Sequence, residues 1–221
     1  ICAKTEMRVY MGEVILKIEN GTKKFKNELI FQNVSMEFEK GNSYGFVGPN
    51  GCGKSVFFKT LCGYSLLTEG QVIYRGKIIG KEQDFPTRRS SDLFINSLSG
   101  LENLKILAEI QKKISEAEII EVLKQFDLYE DRNKKVGKYS VGMKQKLRLA
   151  QAVMEKPQVL ILDEPMNGLD KKSVKKVEDI LKAFVENGGT LLMTSHIEQQ
   201  VEACCKIVYE IDGGEILRVT D

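Results

Sequence analysis

The sequence has no apolar run long enough to cross a membrane. Its longest uninterrupted stretches, such as "VLIL" and "TLLM", are strand-sized, far short of the roughly 18–20 residues a membrane helix needs. Any link to a membrane must therefore come through a partner. It also lacks an excess of either charge. Lys and Arg number 33 against 31 Asp and Glu, a net charge of +2, so electrostatics alone make no case for a nucleic-acid partner. Zinc-ligand spacing is missing too. The five cysteines, Cys2, Cys52, Cys62, Cys204 and Cys205, contain no CxxC pair, and His196 is the single histidine. An odd cysteine count with one adjacent pair fits a reduced, cytosolic setting. The opening "ICAKTEMRVYMGEV" contains no signal-peptide hydrophobic region. It begins with Ile1, and Met7 or Met11 is expected as the native start. No internal repeat is visible.

What is present is globular. The 221 residues are 42% hydrophobic and 29% charged, enough for one sizeable domain or a core with an insertion. "VILKIENGTKKF" and "LIFQNVSMEFEKG" alternate apolar and polar residues as half-buried strands do. "SYGFVG" is a short apolar strand, "KSVFFKTLCGY" reads as a helix, and "GQVIYRGKII" is another alternating strand with a Gly-bounded turn. From Gly100 to about Lys156 the period becomes helical, in "LENLKILAEIQKK", "EAEIIEVLKQFDL" and "GMKQKLRLAQAVMEKP", the last ended by Pro157. "QVLILDEP" and "TLLMTSH" read as buried strands. "KKSVKKVEDILKAFVENGG" between them is an amphipathic helix with a Gly stop. "KIVYEIDGGEILRV" predicts a terminal hairpin. The order implies an α/β core with a helical insertion.

"GPNGCGKS", Gly48, Pro49, Asn50, Gly51, Cys52, Gly53, Lys54 and Ser55, matches G-x-x-x-x-G-K-[ST] between a strand and a helix. Glycines let the backbone turn its N–H groups inward onto phosphate oxygens. The helix N-terminus adds its positive dipole end. Lys54 brings an ammonium to the β- and γ-phosphates, and Ser55 offers a hydroxyl to Mg²⁺. Cys52 is either a thiol activated by this setting or, the plainer reading, a small residue tolerated there. "VLILDEP" supplies the complementary carboxylates. Asp163, ending an apolar strand, is suited to hold Mg²⁺ through its water shell, and Glu164 to orient or polarise an attacking water. His196 ends another apolar strand. With the other motifs present, a γ-phosphate contact is favoured over a plain strand-end histidine.

Together these motifs resemble the nucleotide-binding domain of ABC transporters over essentially the whole chain. "GPNGCGKS" is similar to the family's Walker A motif and "VLILDEP" to its Walker B motif. "YSVGMKQK" is similar to its signature, "NGLD" to its D-loop, and "TSH" to its switch histidine. The resemblance implies one domain, residues 1–221: a P-loop NTPase α/β core with an N-terminal antiparallel β subdomain (about 11–93 and 157–221) and an inserted helical subdomain (about 94–156). It implies ATP with Mg²⁺, not GTP, since "NKKV" lacks the aspartate of a guanine motif. Two copies would pair head-to-tail, with Ser140 and Gly142 reaching the γ-phosphate across the interface and Asp170 at the seam. Phe25 matches the aromatic that stacks on adenine; an ordinary half-buried strand residue fits it equally well. Val141 and Tyr139 depart from the usual signature. The pattern, with "FINSLSGLENL", is similar to exporters of the bacitracin and lantibiotic self-protection type. The implied partner is an integral membrane permease, with the chain peripheral at the inner face of the membrane and no nucleic acid bound. The alternatives are a soluble ABC-type ATPase not coupled to transport, or a nucleotide-binding regulatory subunit that does not hydrolyse ATP.

One segment breaks the pattern. Where the family carries an apolar strand and the Q-loop, this chain reads "FPTRRSSDL" from Phe85 to Leu93. One reading frame of a common sequencing adapter encodes that string. It is read as translated laboratory sequence in place of the native strand, and the Q-loop role is not carried onto Gln83.

Overall fold

The computed structural model describes residues 12–26, 28–80, 94–111 and 114–219. Met7, Met11, Gln83 and Phe85–Leu93, and the expectations attached to them, lie outside the described residues. Nine strands and six α-helices form among the described residues.

The first sheet is antiparallel. β1 (Val14–Phe25) pairs with β2 (Glu28–Glu39) on one side and β4 (Glu69–Tyr74) on the other, and β5 (Lys77–Ile78) extends it beyond β4. The alternation of the sequence is interrupted by bulges. Asn20 and Asn33 both adopt positive φ, 49° each, and the β1–β2 register shifts around them. This is why Phe31 and Val34 both point inward although they are three residues apart.

The second sheet runs β6 (Val159–Asp163), β7 (Thr190–Thr194), β3 (Ser43–Val47), β8 (Ile207–Asp212), β9 (Glu215–Arg218). The first four are mutually parallel. β9 returns antiparallel through Gly213 and Gly214, whose φ values of 55° and 85° suit a tight two-residue turn. β3, β6 and β7 are buried almost throughout, as strands covered on both faces must be. Their side chains still divide with period two. Val159 and Ile161 of β6 and Leu192 of β7 join the aromatic cluster shared with the first sheet. Leu160, Leu162, Leu191 and Met193 join the cluster facing the other helices. Phe46 anchors the former, with Phe57, Phe58 and Tyr209 ring centroids 5.4, 5.3 and 5.3 Å away.

The helices are α1 (Lys54–Leu61), α2 (Gly100–Gln111), α3 (Glu116–Gln125), α4 (Val141–Met154), α5 (Lys171–Glu186) and α6 (Glu198–Cys204). α3 starts on a capping box, in which Ser115 and Glu118 satisfy each other's backbone N–H groups. α1 is shorter than its apolar pattern predicts. It stops at Leu61 because Gly63 turns left-handed and its N–H returns to the Thr60 carbonyl at 3.0 Å. α4 begins one residue before Gly142, where the Ser140 side chain caps it. β7 ends two residues before His196. These shifts matter because the C-terminal ends of β3, β6 and β7 share one edge of the parallel sheet, where α/β folds bind ligands.

Candidate functional site

Three loops leave that edge. The first follows β3 and wraps the Lys54 side chain. Gly48, Gly51 and Gly53 have φ of 148°, 87° and 106°, conformations that residues with a Cβ rarely adopt. A Cβ on Gly48 would lie 2.3 Å from the Ile211 carbonyl oxygen, whereas one on Gly51 would meet nothing within 4 Å. The loop is thus tightly seated at its start and open at its crest. Lys54 is only 6% exposed, and its Nζ donates to the carbonyls of Gly48 (2.8 Å) and Pro49 (3.0 Å). α1 has Gly53 at its N-cap, no side-chain cap and no acidic residue in its first turn. Its positive end and unblocked N–H groups therefore face outward. Pro49, Asn50, Gly51 and Ser55 are exposed and Cys52 is partly buried. A backbone cradle with a held ammonium and an open helix N-terminus suits a polyphosphate.

The second loop follows β6. Asp163 pairs in register with Thr194 of β7, and the Thr194 hydroxyl donates to Asp163 Oδ1 at 2.8 Å while accepting the Glu164 N–H at 3.0 Å. Glu164 itself sits at φ 49°, unusual for a residue with a side chain. The third loop, after β7, carries His196, whose Nδ1 is 2.8 Å from Glu164 Oε2. The two residues expected to serve hydrolysis are therefore in direct contact, although 32 positions separate them in the chain. Adjacent parallel strands bring them together.

The remaining expected residues lie around this edge or further off. Ser140 accepts the Met143 N–H at 3.1 Å as the N-cap of α4. A Cβ on Gly142 would lie 3.0 Å from the Gly168 carbonyl oxygen and 3.9 Å from Leu169, so α4 begins against the loop that follows β6. Val141, the signature departure, is 72% exposed, and its Cγ1 would be 2.9 Å from a Cβ on Gly168. Asp170 caps α5, accepting the Ser173 N–H (2.9 Å) and hydroxyl (2.8 Å). Those two bonds hold its carboxyl below the usual carboxylate range. Phe25 is the last residue of β1 and is 47% exposed, which fits the half-buried strand reading and the base-stacking reading alike. Lys23 Nζ lies 4.6 Å from the ring centroid.

Two residues of this architecture were not anticipated. Thr194 follows the apolar run "LLM" of β7; a buried hydroxyl at the C-terminal end of such a strand is the signal that could have found it. Gln145 is 6% exposed and donates to the carbonyls of Pro165 (2.8 Å) and Glu164 (3.4 Å). It stands four residues before Leu149 and seven before Ala152, on the buried stripe of α4. A polar residue on such a stripe was legible as an anomaly.

A parallel sheet whose phosphate loop, paired carboxylates and histidine share one edge defines a P-loop nucleotide-binding cassette. A sequence profile of the family described as "ABC transporter" matches residues 31–167. The chain is 38% identical over 208 residues to the "Uncharacterized ABC transporter ATP-binding protein YybJ" of Bacillus subtilis (strain 168), covering 91% of this chain and 94% of that one. It is 32% identical to the "Lantibiotic transport ATP-binding protein SrtF" of Streptococcus pyogenes, over 92% of this chain and 89% of the relative. Among solved structures, a dimeric ATP-binding cassette in a post-hydrolysis state bound to ADP and Pi has the same fold. Its TM-score is 0.85 at 21% identity, over 94% of this chain and all of that one. The chain belongs to the ATP-binding proteins of the ABC transporter family. It is an ATPase subunit, and among the described residues no helix is long and apolar enough to cross a membrane.

Proposed function

We propose that the chain powers export of an antimicrobial peptide, antibiotic or similar compound through a membrane permease. Relatives carry the names of lantibiotic and bacitracin transport proteins; the bacitracin relative BcrA of Enterococcus faecalis is 30% identical over 93% of this chain and 68% of its own length. The observation that carries the hydrolytic part is the Glu164–His196 contact, 2.8 Å, at the sheet edge that also bears the phosphate loop. In this reading Lys54 and the N–H groups of Gly48 to Ser55 bind the phosphates. Ser55 and Asp163 hold Mg²⁺, a hard cation that takes one or two protein oxygens beside phosphates and water. Glu164 accepts a proton from water or orients it, and His196 fixes the Glu164 carboxylate and meets the γ-phosphate. Phe25, exposed at the end of β1, stacks on the base.

Ser140 and Gly142 serve the nucleotide of a second, head-to-tail copy. The Ser140 hydroxyl accepts within its own helix cap and so still has its proton to donate outward. Asp170 lies at the seam. Residues 94–156 form the signature-bearing helical subdomain, and the permease holds the chain at the inner face of the membrane.

The test is Glu164→Gln. Its ATP turnover falls by about 10²-fold or more, while ATP binding persists and a nucleotide-bound dimer accumulates in size-exclusion chromatography. Unchanged turnover removes Glu164 from the chemistry. A wild-type chain that binds ATP but does not hydrolyse it, even with its permease, supports the regulatory alternative.

A further inference from the structure

The loop carrying Glu164 is held from two directions. From β7, Thr194 takes its N–H. From the other side, α4 presses its first turns onto it: Val141 against Gly168, Gly142 against the Gly168 carbonyl, and Gln145 onto the carbonyls of Glu164 and Pro165. The Gln145 amide has little freedom. Arg148 Nη1 donates to its Oε1 at 3.0 Å, which fixes the amide with its NH₂ toward the loop. Glu164 sits at φ 49°, a left-handed conformation uncommon for a residue with a side chain, and these contacts hold its backbone there.

We propose that Gln145 is a positioning residue for hydrolysis. It ties the helix that begins with Ser140 and Gly142 to the backbone of Glu164 in the same subunit. Its consequence is directional. The α4 N-terminus serves the nucleotide of one site, while Glu164 of that subunit serves the other. A shift of α4 on meeting the opposite nucleotide is passed through the Gln145 amide chiefly to the Pro165 carbonyl (2.8 Å), the residue after Glu164, and secondarily to the Glu164 carbonyl itself (3.4 Å). Gln145 thereby links the two sites of a dimer without touching either nucleotide.

This inference rests on Glu164 acting in hydrolysis, and the experiment separates the two. A double-mutant cycle compares the full-length wild type, Gln145→Met, Glu164→Gln and the double variant in Mg-ATP turnover. Gln145→Met keeps length and volume and removes both donors. Its kcat is expected to fall about 10- to 100-fold, the loss that follows a small misplacement of a reacting group, with KM for ATP changed less than about twofold. In the Glu164→Gln background the same substitution is expected to change the residual rate less than about twofold, because the group it positions is already gone. Thermal melting of the nucleotide-free chain checks folding, and Gln145→Leu, which also presents no donor, replaces the Met variant if that one melts early. An equal loss in both backgrounds makes Gln145 merely structural and overturns the proposal. So does an unchanged kcat in Gln145→Met. If Glu164→Gln alone turns over normally, the hydrolytic reading fails first and the proposal falls with it.

Discussion

Replacing Thr194 with Val tests whether β7 holds the carboxylate loop in place. The substitution preserves shape: the hydroxyl becomes a methyl and no cavity opens. Thr194 is fully buried, and its hydroxyl makes two bonds, one from the Glu164 N–H at 3.0 Å and one to Asp163 Oδ1 at 2.8 Å. A backbone N–H left unpaired costs about 1–3 kcal/mol, and a lost bond to a charged group about 1.5–3 kcal/mol. Asp163 and Glu164 are half-buried, so water reaches them in part and the lower ends apply. Thr194→Val is therefore expected to lose about 2.5 kcal/mol of stability. Thr194→Ser is the control. It keeps both bonds and removes one methyl, at about 1 kcal/mol. Urea unfolding with the slope held common to all three proteins measures both. Steady-state ATP hydrolysis should follow the same order, since the Glu164 backbone loosens only in the Val variant. If Val destabilises no more than Ser, the Thr194 bridge does not hold the loop and its part in the site is withdrawn.

Two other outcomes are expected. Gly45→Ala would put a Cβ 1.9 Å from Val201 Cγ1 and 3.2 Å from Cys205 Cβ, overpacking α6 against β3 at a cost of about 1–3 kcal/mol; an unshifted melting temperature would show that α6 does not pack as described. The Asp170 carboxyl is held below its usual value by the Ser173 N–H and hydroxyl. A depressed pKa means the α5 cap contributes fully above the unfolded value of 3.8 and is lost as pH falls through the lower folded value. NMR titration of Asp170, with Ser173 amide exchange followed over the same range, reads this directly, and a midpoint at or above 3.8 contradicts it.

Much of the site was legible because its chemistry is local. A phosphate loop is built from the backbone of eight successive residues, so "GPNGCGKS" carries its own geometry: three glycines where φ is positive, then a lysine whose stem folds back onto the carbonyls of Gly48 and Pro49. The buried strands announced themselves as short apolar runs, and the terminal hairpin by Gly213 and Gly214. Harder to see were the bulges at Asn20 and Asn33, because alternation is a statement about one strand and a bulge belongs to a pair. The end of α1 is not legible either, because its apolar pattern continues past Leu61 whereas Gly63 decides the turn.

The residues themselves determined the phosphate loop, the two carboxylates at a strand end and the family they resemble, since each depends on neighbours within a few positions. Only the tertiary structure decided that Glu164 touches His196, that Thr194 bridges Asp163 and Glu164, and that Gln145 of α4 grips the loop between them. Those contacts join segments up to 32 positions apart. They exist because β6 and β7 lie side by side in the parallel sheet and the first turns of α4 pack against the loop that follows β6. Strand order and helix docking are properties of the whole core, set by how Val159, Ile161 and Leu192 divide from Leu160, Leu162, Leu191 and Met193 between its two faces. No short window of sequence contains that division.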